Sequence, residues 1–345
     1  MRLASTLLAA ISLIGTVSIA QAQEKVLNLY SARHYQTDEL LYSNFTKQTG
    51  IKINRIEADD NALFERLKNE GKNSPADVIV MVDAARIWRA EIEGFFQPVK
   101  SAALNARIPA NLRGKDDGQG PEWFGFSTRA RLIVYNKATV NPADVATYES
   151  LADPKNKGKV CTRSGSHPYN LSLIGSMIER DGEKATEQWA KGMVANFARP
   201  PRGGDTDQIK GVASGECGVA IANSYYYVRM LRSTKPEDVA AMKNVGFVWP
   251  NAKTSGTHFN IAGGGVAKNA LHREAAVKFL EYLASDEAQT YFADGNNEWP
   301  AVAKVHVKNE ALKSLGKFKM ENVSVASIGK NQIAAQRILD RVGYK

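Results

Sequence analysis

What the sequence holds little of narrows its chemistry first. Its 345 residues include two cysteines, Cys161 and Cys217, and five histidines. Copper and zinc sites draw on thiolates or several imidazoles, and this chain offers few of either. The two cysteines also stand too far apart for a CxxC redox motif. Basic residues are scattered, with no basic run and no aromatic RNA-binding signature, so nucleic acid is not an expected partner despite the formal charge of +9. There is no internal repeat and no low-complexity linker. Past the first residues, no stretch approaches the roughly 20 apolar residues that a membrane span needs.

The first residues, "MRLASTLLAAISLIGTVSIAQAQ", combine one arginine, an apolar run and the small-residue sequence Ala20-Gln21-Ala22. That pattern reads as an export signal over 1–22, cleaved before Gln23, with a retained membrane anchor as the alternative. Losing it removes Arg2 alone among charged residues and lowers the formal charge by one from +9. About 320 residues remain, more than one core usually organises, which predicts two lobes. Export places the cysteines in an oxidising compartment, where they form either a disulfide or a pair of buried thiols.

Three places share one pattern: a strand-like run, a polar loop, then a helical pattern, with tyrosine at the junction. The first is "VLNLY", "SARHYQ", "TDELLYSNFTKQTG", in which Thr37 or Asp38 caps and Gly50 ends the helix. The second is "GKVCTR", "SGSHP", "YNLSLIGSMIER", with Pro168 in the first helical turn. The third is "CGVAIA", then Asn223 and Ser224 as N-caps, then "YYYVRMLRS". Strands alternating with helices predict an α/β fold of two mixed or parallel sheets flanked by helices, and such sheets bind ligands beyond the carboxyl ends of their strands. Tyr35, Tyr169, Tyr225 and Tyr226 fall at that edge, and Tyr227 turns away and packs.

Other runs complete two lobes. "DVIVMVD" (77–83) reads as a buried strand before a helix "AARIWRAEIEGF", and "FGFSTRARLIVYN" (124–136) as a long strand. "NVGFVWPN" and "IAGGGVAK" are strands near the return crossing. "REAAVKFLEYLASDEAQTYFAD" reads as one long amphipathic helix and "NQIAAQRILDRVG" as another. The chain crosses near 127 and returns near 252 through a hinge of extended segments. One lobe then comprises 23–126 and 253–300, the other 127–252 and 301–345.

A phenol ionises near pH 10, so an isolated tyrosine is a poor ligand at neutral pH. A hard trivalent cation favours the charged form strongly enough to expel the proton, which points to ferric iron. Helix N-termini add a smaller stabilisation of the phenolates. Three or four phenolates leave such a centre neutral or singly negative, and Arg129 or Arg229 is placed to balance the excess or hold a small anion. His34 is either a further ligand or a hydrogen-bonding partner of Tyr35. Glu57, Asp59 and Asp60 either add a carboxylate or cap and solvate. Trp123, Trp249 and Trp299 keep open a stacking platform for a sugar or aromatic ligand. A hydrolase built on Ser166 and His167 is disfavoured, because neighbouring residues do not form a nucleophile and base.

The segments "NLYSARHYQTDELL", "FGFSTRARLIVYN", "RSGSHPYNLSL", "RPPRGGDTDQI" and "ANSYYYVRM" resemble those of the periplasmic ferric-ion-binding proteins of ABC iron importers, in their tyrosine-rich branch. The resemblance spans essentially the whole mature chain. It implies a two-lobed periplasmic binding protein of type II-like fold that closes on Fe(III) and delivers it to an inner-membrane permease. It implies a monomeric binding protein, not an enzyme. Carried over by motif position, Tyr35, Tyr169, Tyr225 and Tyr226 are the phenolate ligands, with His34 near the metal. In branches that use a carbonate-like synergistic anion, an arginine at the place of Arg129 holds it. Arg202 falls in a loop near the cleft. The acidic ligand of those branches has no clear counterpart in "RIEADDN". The alternative reading is a protein of the same fold for a small anionic or organic solute without metal.

Overall fold

The computed structural model describes residues 25–33 and 37–345. The expected export signal, His34 and Tyr35 lie outside the described residues. The described residues begin with β1 (Val26–Ser31), α1 (Asp38–Thr49), β2 (Lys52–Glu57), α2 (Asp60–Glu70), β3 (Val78–Val82), α3 (Ala84–Ile92) and α4 (Ala102–Arg107). A long strand β4 (Phe124–Asn136) leads to β5 (Val160–Cys161), α5 (Pro168–Asp181), α6 (Glu183–Ala195), α7 (Asp205–Ser214), β6 (Val219–Asn223), α8 (Ser224–Leu231), α9 (Pro236–Asn244) and β7 (Val245–Val248). The return runs through β8 (Phe259–Val266), α10 (Arg273–Leu283), α11 (Asp286–Asp294) and β9 (Trp299–Pro300), and the last helices are α12 (Glu310–Ser314), α13 (Val325–Lys330) and α14 (Gln332–Val342).

β4 belongs to two sheets. Its first half pairs antiparallel with β8, which continues through β3 to the parallel strands β1 and β2. From Arg131 onward the same strand pairs antiparallel with β6 and, from Ile133, with β7, while β5 lies parallel to β6. The crossing thus falls at Ala130 and Arg131, and the return enters at His258, whose carbonyl accepts the Arg131 N–H at 3.0 Å. β3 is buried throughout, as its unbroken apolar sequence requires. Along β8, Gly263, Gly264 and Gly265 pass so close to neighbouring backbone that an added Cβ would meet the carbonyl oxygens of Phe124, Ile79 and Glu122 at 2.3, 2.1 and 2.1 Å.

Side-chain alternation builds the cores. Leu132 and Val134 of β4 join Ala220 and Ala222 of β6 on one face of the second sheet, while Ile133 joins Val219 and Ile221 on the other. The first sheet has its own core around Leu29, Phe45, Ile79 and Phe279. Segment 301–345 divides among the cores: Val302 and Ile328 pack in the first, Leu312 in one face of the second sheet, Ile338 and Leu339 in the other. The expected single helix over 273–294 is broken at Ala284, because Ser285 accepts the Ala288 N–H and starts α11 anew. α13 lies against both α3 and α5, with Gly329 on the face of Trp88.

Candidate metal centre

Two of the three tyrosine junctions lie within the described residues, and they meet. β5 runs into a loop that ends at His167, the N-cap of α5, whose Nδ1 accepts the Tyr169 N–H at 3.2 Å. That loop is held from several sides. The Gly165 N–H donates to the Lys345 carbonyl at 3.0 Å, the Thr162 and Tyr344 hydroxyls pair at 2.6 Å, and Asn170 Nδ2 donates to the carbonyls of Arg163 and Ser164. β6 enters α8 at Asn223, which occupies the cap position without capping. Its Oδ1 accepts from Arg131 at 3.2 Å, and Ser224 Oγ accepts the Ala130 N–H at 3.2 Å. The expected cap residues tie α8 to β4 instead. Asp38 diverges in the same way: both its oxygens engage the Arg33 guanidinium, and the Thr37 side chain makes no cap bond.

Tyr169 and Tyr225 bring their hydroxyls within 3.0 Å of each other. The Tyr226 ring lies beside that of Tyr225, centroids 4.2 Å apart and planes 32° apart. Successive residues of a helix are about 100° apart, so two neighbours can serve one side and the third cannot. Tyr227 is accordingly buried in the core, 5.2 Å from the Phe247 ring, and burial pushes its phenol up to about 12. Tyr226 and Arg229 open onto a cleft of about 920 Å3 whose other wall includes Thr37, Asn296 and Asn297.

Guanidinium groups surround these rings. Arg163, Arg129 and Arg131 lie 5.1, 5.8 and 5.9 Å from the Tyr169 centroid, and Arg229 lies 5.2 Å from Tyr226. Asp205, wholly buried at the start of α7, accepts from Arg131 at 2.8 Å, Arg163 at 3.1 Å and the Asn223 N–H at 2.7 Å. Burial pulls the Arg163 guanidinium toward losing its proton. Asp205 and then the phenols of Tyr226, Tyr169 and Tyr225 outweigh that pull and hold it above its ordinary value. His167 is driven the other way, to about 3, first by burial and then by Arg163. It stays neutral and serves as a cap.

Arg129 and Arg229 therefore stand beside the phenols, but the Arg202 side chain does not join them. It is exposed and pairs with Glu216 at 2.6 Å, because the loop turns its guanidinium toward the surface. Arg131, Arg163 and Asp205 escaped the sequence reading. Arg131 lies two residues from Arg129 on a strand and shares its face, and Arg163 sits at the end of β5, where the binding edge was expected. Glu57 pairs with Arg55 and Asp59 caps α2, as the bland reading of that loop had it. Ser166 bonds to Ser164, and Trp249 packs with Trp299 and Phe318 while Trp123 lies in the first core. Cys161 and Cys217 are joined in a disulfide. Among the described residues no group of three or more His, Cys, Asp or Glu is placed to hold a metal ion.

Residues 41–319 match the family model described as bacterial extracellular solute-binding protein. The chain belongs to the bacterial extracellular solute-binding proteins. This solute-binding protein is 49% identical to Iron uptake protein A1 of Synechocystis sp., over 94% of its own length and 88% of the relative's. It shares 53% identity and a TM-score of 0.86 with a Trichodesmium protein solved with iron and citrate ligands, covering 93% of this chain and 100% of that one. A ferric binding protein from Campylobacter jejuni superposes with the same TM-score of 0.86 at 39% identity, over 92% of this chain and 100% of the other. The two-lobed periplasmic binding-protein fold expected from the sequence is the fold observed.

Proposed function

We propose that this protein captures ferric iron in the periplasm through tyrosine phenolates and hands it, as a monomer, to an ABC permease. The observation that carries the reading is the convergence of Tyr169, Tyr225 and Tyr226 from two separate strand-to-helix junctions, with two hydroxyls 3.0 Å apart. Iron is named for its relatives from Synechocystis, Trichodesmium and Campylobacter, which supports the same cargo here. The sequence motif adds Tyr35 as the fourth phenolate, contributed by the first lobe. Ligands divided between lobes make metal retention depend on closure of the cleft. Arg229, 5.2 Å from the Tyr226 ring, adds a water-screened positive charge beside the phenols, while Arg129, 5.8 Å from the Tyr169 ring, is paired with Glu298. The relatives are named as iron uptake and ferric binding proteins, which supports a binding role.

The test is a titration of the purified, metal-free protein with ferric citrate. Phenolate ligation gives a broad visible charge-transfer band that saturates at one iron per chain and bleaches on acidification, since protons compete for the phenolates. Saturable iron binding without such a band would reject the phenolate site.

A further inference from the structure

We propose that Arg163 is the fixed counter-ion of the phenol cluster, clamped by Asp205 against the face of Tyr169. The inference rests on the ferric reading above and adds the group that balances its charge. The charges around the rings fall into two buried sets. In one, Arg33 and Arg129 face Asp38 and Glu298: Arg33 bonds to both carboxylates, and Arg129 Nη1 lies 3.8 Å from Glu298. Two positive charges there meet two negative ones. In the other, the single carboxylate of Asp205 serves both Arg131 and Arg163. That set keeps one positive charge in excess.

The excess is directed at the tyrosines. Both terminal nitrogens of Arg131 are also engaged elsewhere, by Asn223 and Asn170 at 3.2 and 2.8 Å. Arg163 uses one nitrogen on Asp205 and stands nearest the Tyr169 ring of the three guanidiniums around it, 5.1 Å from its centroid. A largely buried cation with half a partner is costly, and a ring face offsets only part of that cost. Phenolates supply the rest. Four of them around a ferric ion sum to one negative charge, equal and opposite to the excess on the Asp205 set. Arg229 is exposed, so water screens its contribution.

The experiment compares the mature wild-type chain with its R163Q and R163K variants, each loaded from ferric citrate and challenged with a competing chelator. Removing the charge in R163Q weakens ferric retention by about tenfold or more, as expected for a partly buried pair. It also moves the charge-transfer band to longer wavelength, because the phenolate donor level rises when the nearby cation is gone. R163K keeps the charge but not the fork to Asp205, and falls between the two. A merely structural Arg163 would leave the band where it was. The inference is overturned if R163Q matches the wild type in both band position and retention. Should R163Q not fold, an R163K protein that folds yet loses iron as completely as one lacking the Tyr225 and Tyr226 hydroxyls overturns it too. A wild-type protein without any band takes down the ferric reading and this inference together.

Discussion

Two strand-to-helix junctions, β6 into α8 and β3 into α3, use the start of a helix in opposite ways. At β6–α8 the cap residues are turned onto β4, and the first turn presents Tyr225 and Tyr226 to the space around Tyr169. At β3–α3 the cap is Asp83, wholly buried, at φ 135° and ψ 135°, a region that side chains other than glycine rarely adopt. Its carboxylate accepts the Ala85 N–H at 2.9 Å, Ser172 Oγ at 2.7 Å and Asn260 Nδ2 at 2.7 Å. Ser172 belongs to α5, three residues beyond Tyr169, whereas Asp83 follows a strand of the first sheet. One junction turns its cap residues away from the helix end, and the other closes the helix end on Asp83, which also bonds α5 and β8. α5 takes part in both.

The comparison breaks most visibly on the ligand side. Changing Tyr225 and Tyr226 together to Phe should abolish the iron band, while thermal stability falls only by about 1 kcal/mol for the lost Tyr169–Tyr225 hydrogen bond. A double variant that kept both band and affinity would show that the open junction is not where iron is held. Next in size is the disulfide that staples β5 to the start of β6 and so holds the two tyrosine junctions side by side. Its cysteines are 56 residues apart, and reduction or Cys161→Ser should cost about 4 kcal/mol by loop-closure entropy. Chemical denaturation with and without reductant measures it, and coincident curves would mean that packing alone sets the alignment.

On the fastening side, Asp83→Ala strips three donors of their acceptor in a buried place, a loss of about 2 to 4 kcal/mol that relief of backbone strain offsets only in part. Ser172→Ala removes just one of those bonds and should cost about 1 kcal/mol. Small-angle scattering should then show a wider distribution of lobe separations in the Asp83 variant than in the Tyr225 and Tyr226 variant. Equal distributions would remove the distinction drawn between the junctions.

At the two described junctions, the strand-to-helix change beside the tyrosines was legible because it is a local event: a short apolar run yields to a helical period, and tyrosine stands at the change. β4 was legible over its full length for the same reason. The expectation of one helix over 273–294 failed because the apolar spacing continues through Ala284 and Ser285, where a single serine cap decides the break. The caps at Asn223 and Asp38 were misjudged for different reasons: Asn223 accepts from Arg131, 92 residues away in sequence, where local propensity carries no trace of it, whereas Asp38 is taken by the guanidinium of Arg33 just before the helix. Arg163 and Asp205 stand 42 residues apart in sequence, and their pairing follows from the packing of α7 on β6. Arg202, in the same stretch as Asp205, shows the converse: proximity in sequence to a site residue did not turn its side chain toward the phenols.

Near neutral pH the smallest effect lies at the other helix start on the ligand side, and it grows only as the solution is acidified. His167 caps α5 in the neutral form, and burial together with Arg163 lowers it to about 3 from an ordinary 6.5. An unfolded chain takes up the proton first as pH falls. The neutral cap therefore contributes fully above about pH 6.5, and its contribution is lost progressively toward pH 3, by about 1.4 kcal/mol per pH unit within that window. His167→Asn keeps an acceptor at the cap position but nothing that titrates. Metal-free variant and wild type should then have similar stability near pH 7.5 and diverge between pH 6 and 4, with the variant falling less steeply in urea denaturation. Parallel slopes would show that His167 gains its proton in the folded protein as easily as in the unfolded chain, and that the cluster of guanidiniums beside it is better screened by water than its burial indicates.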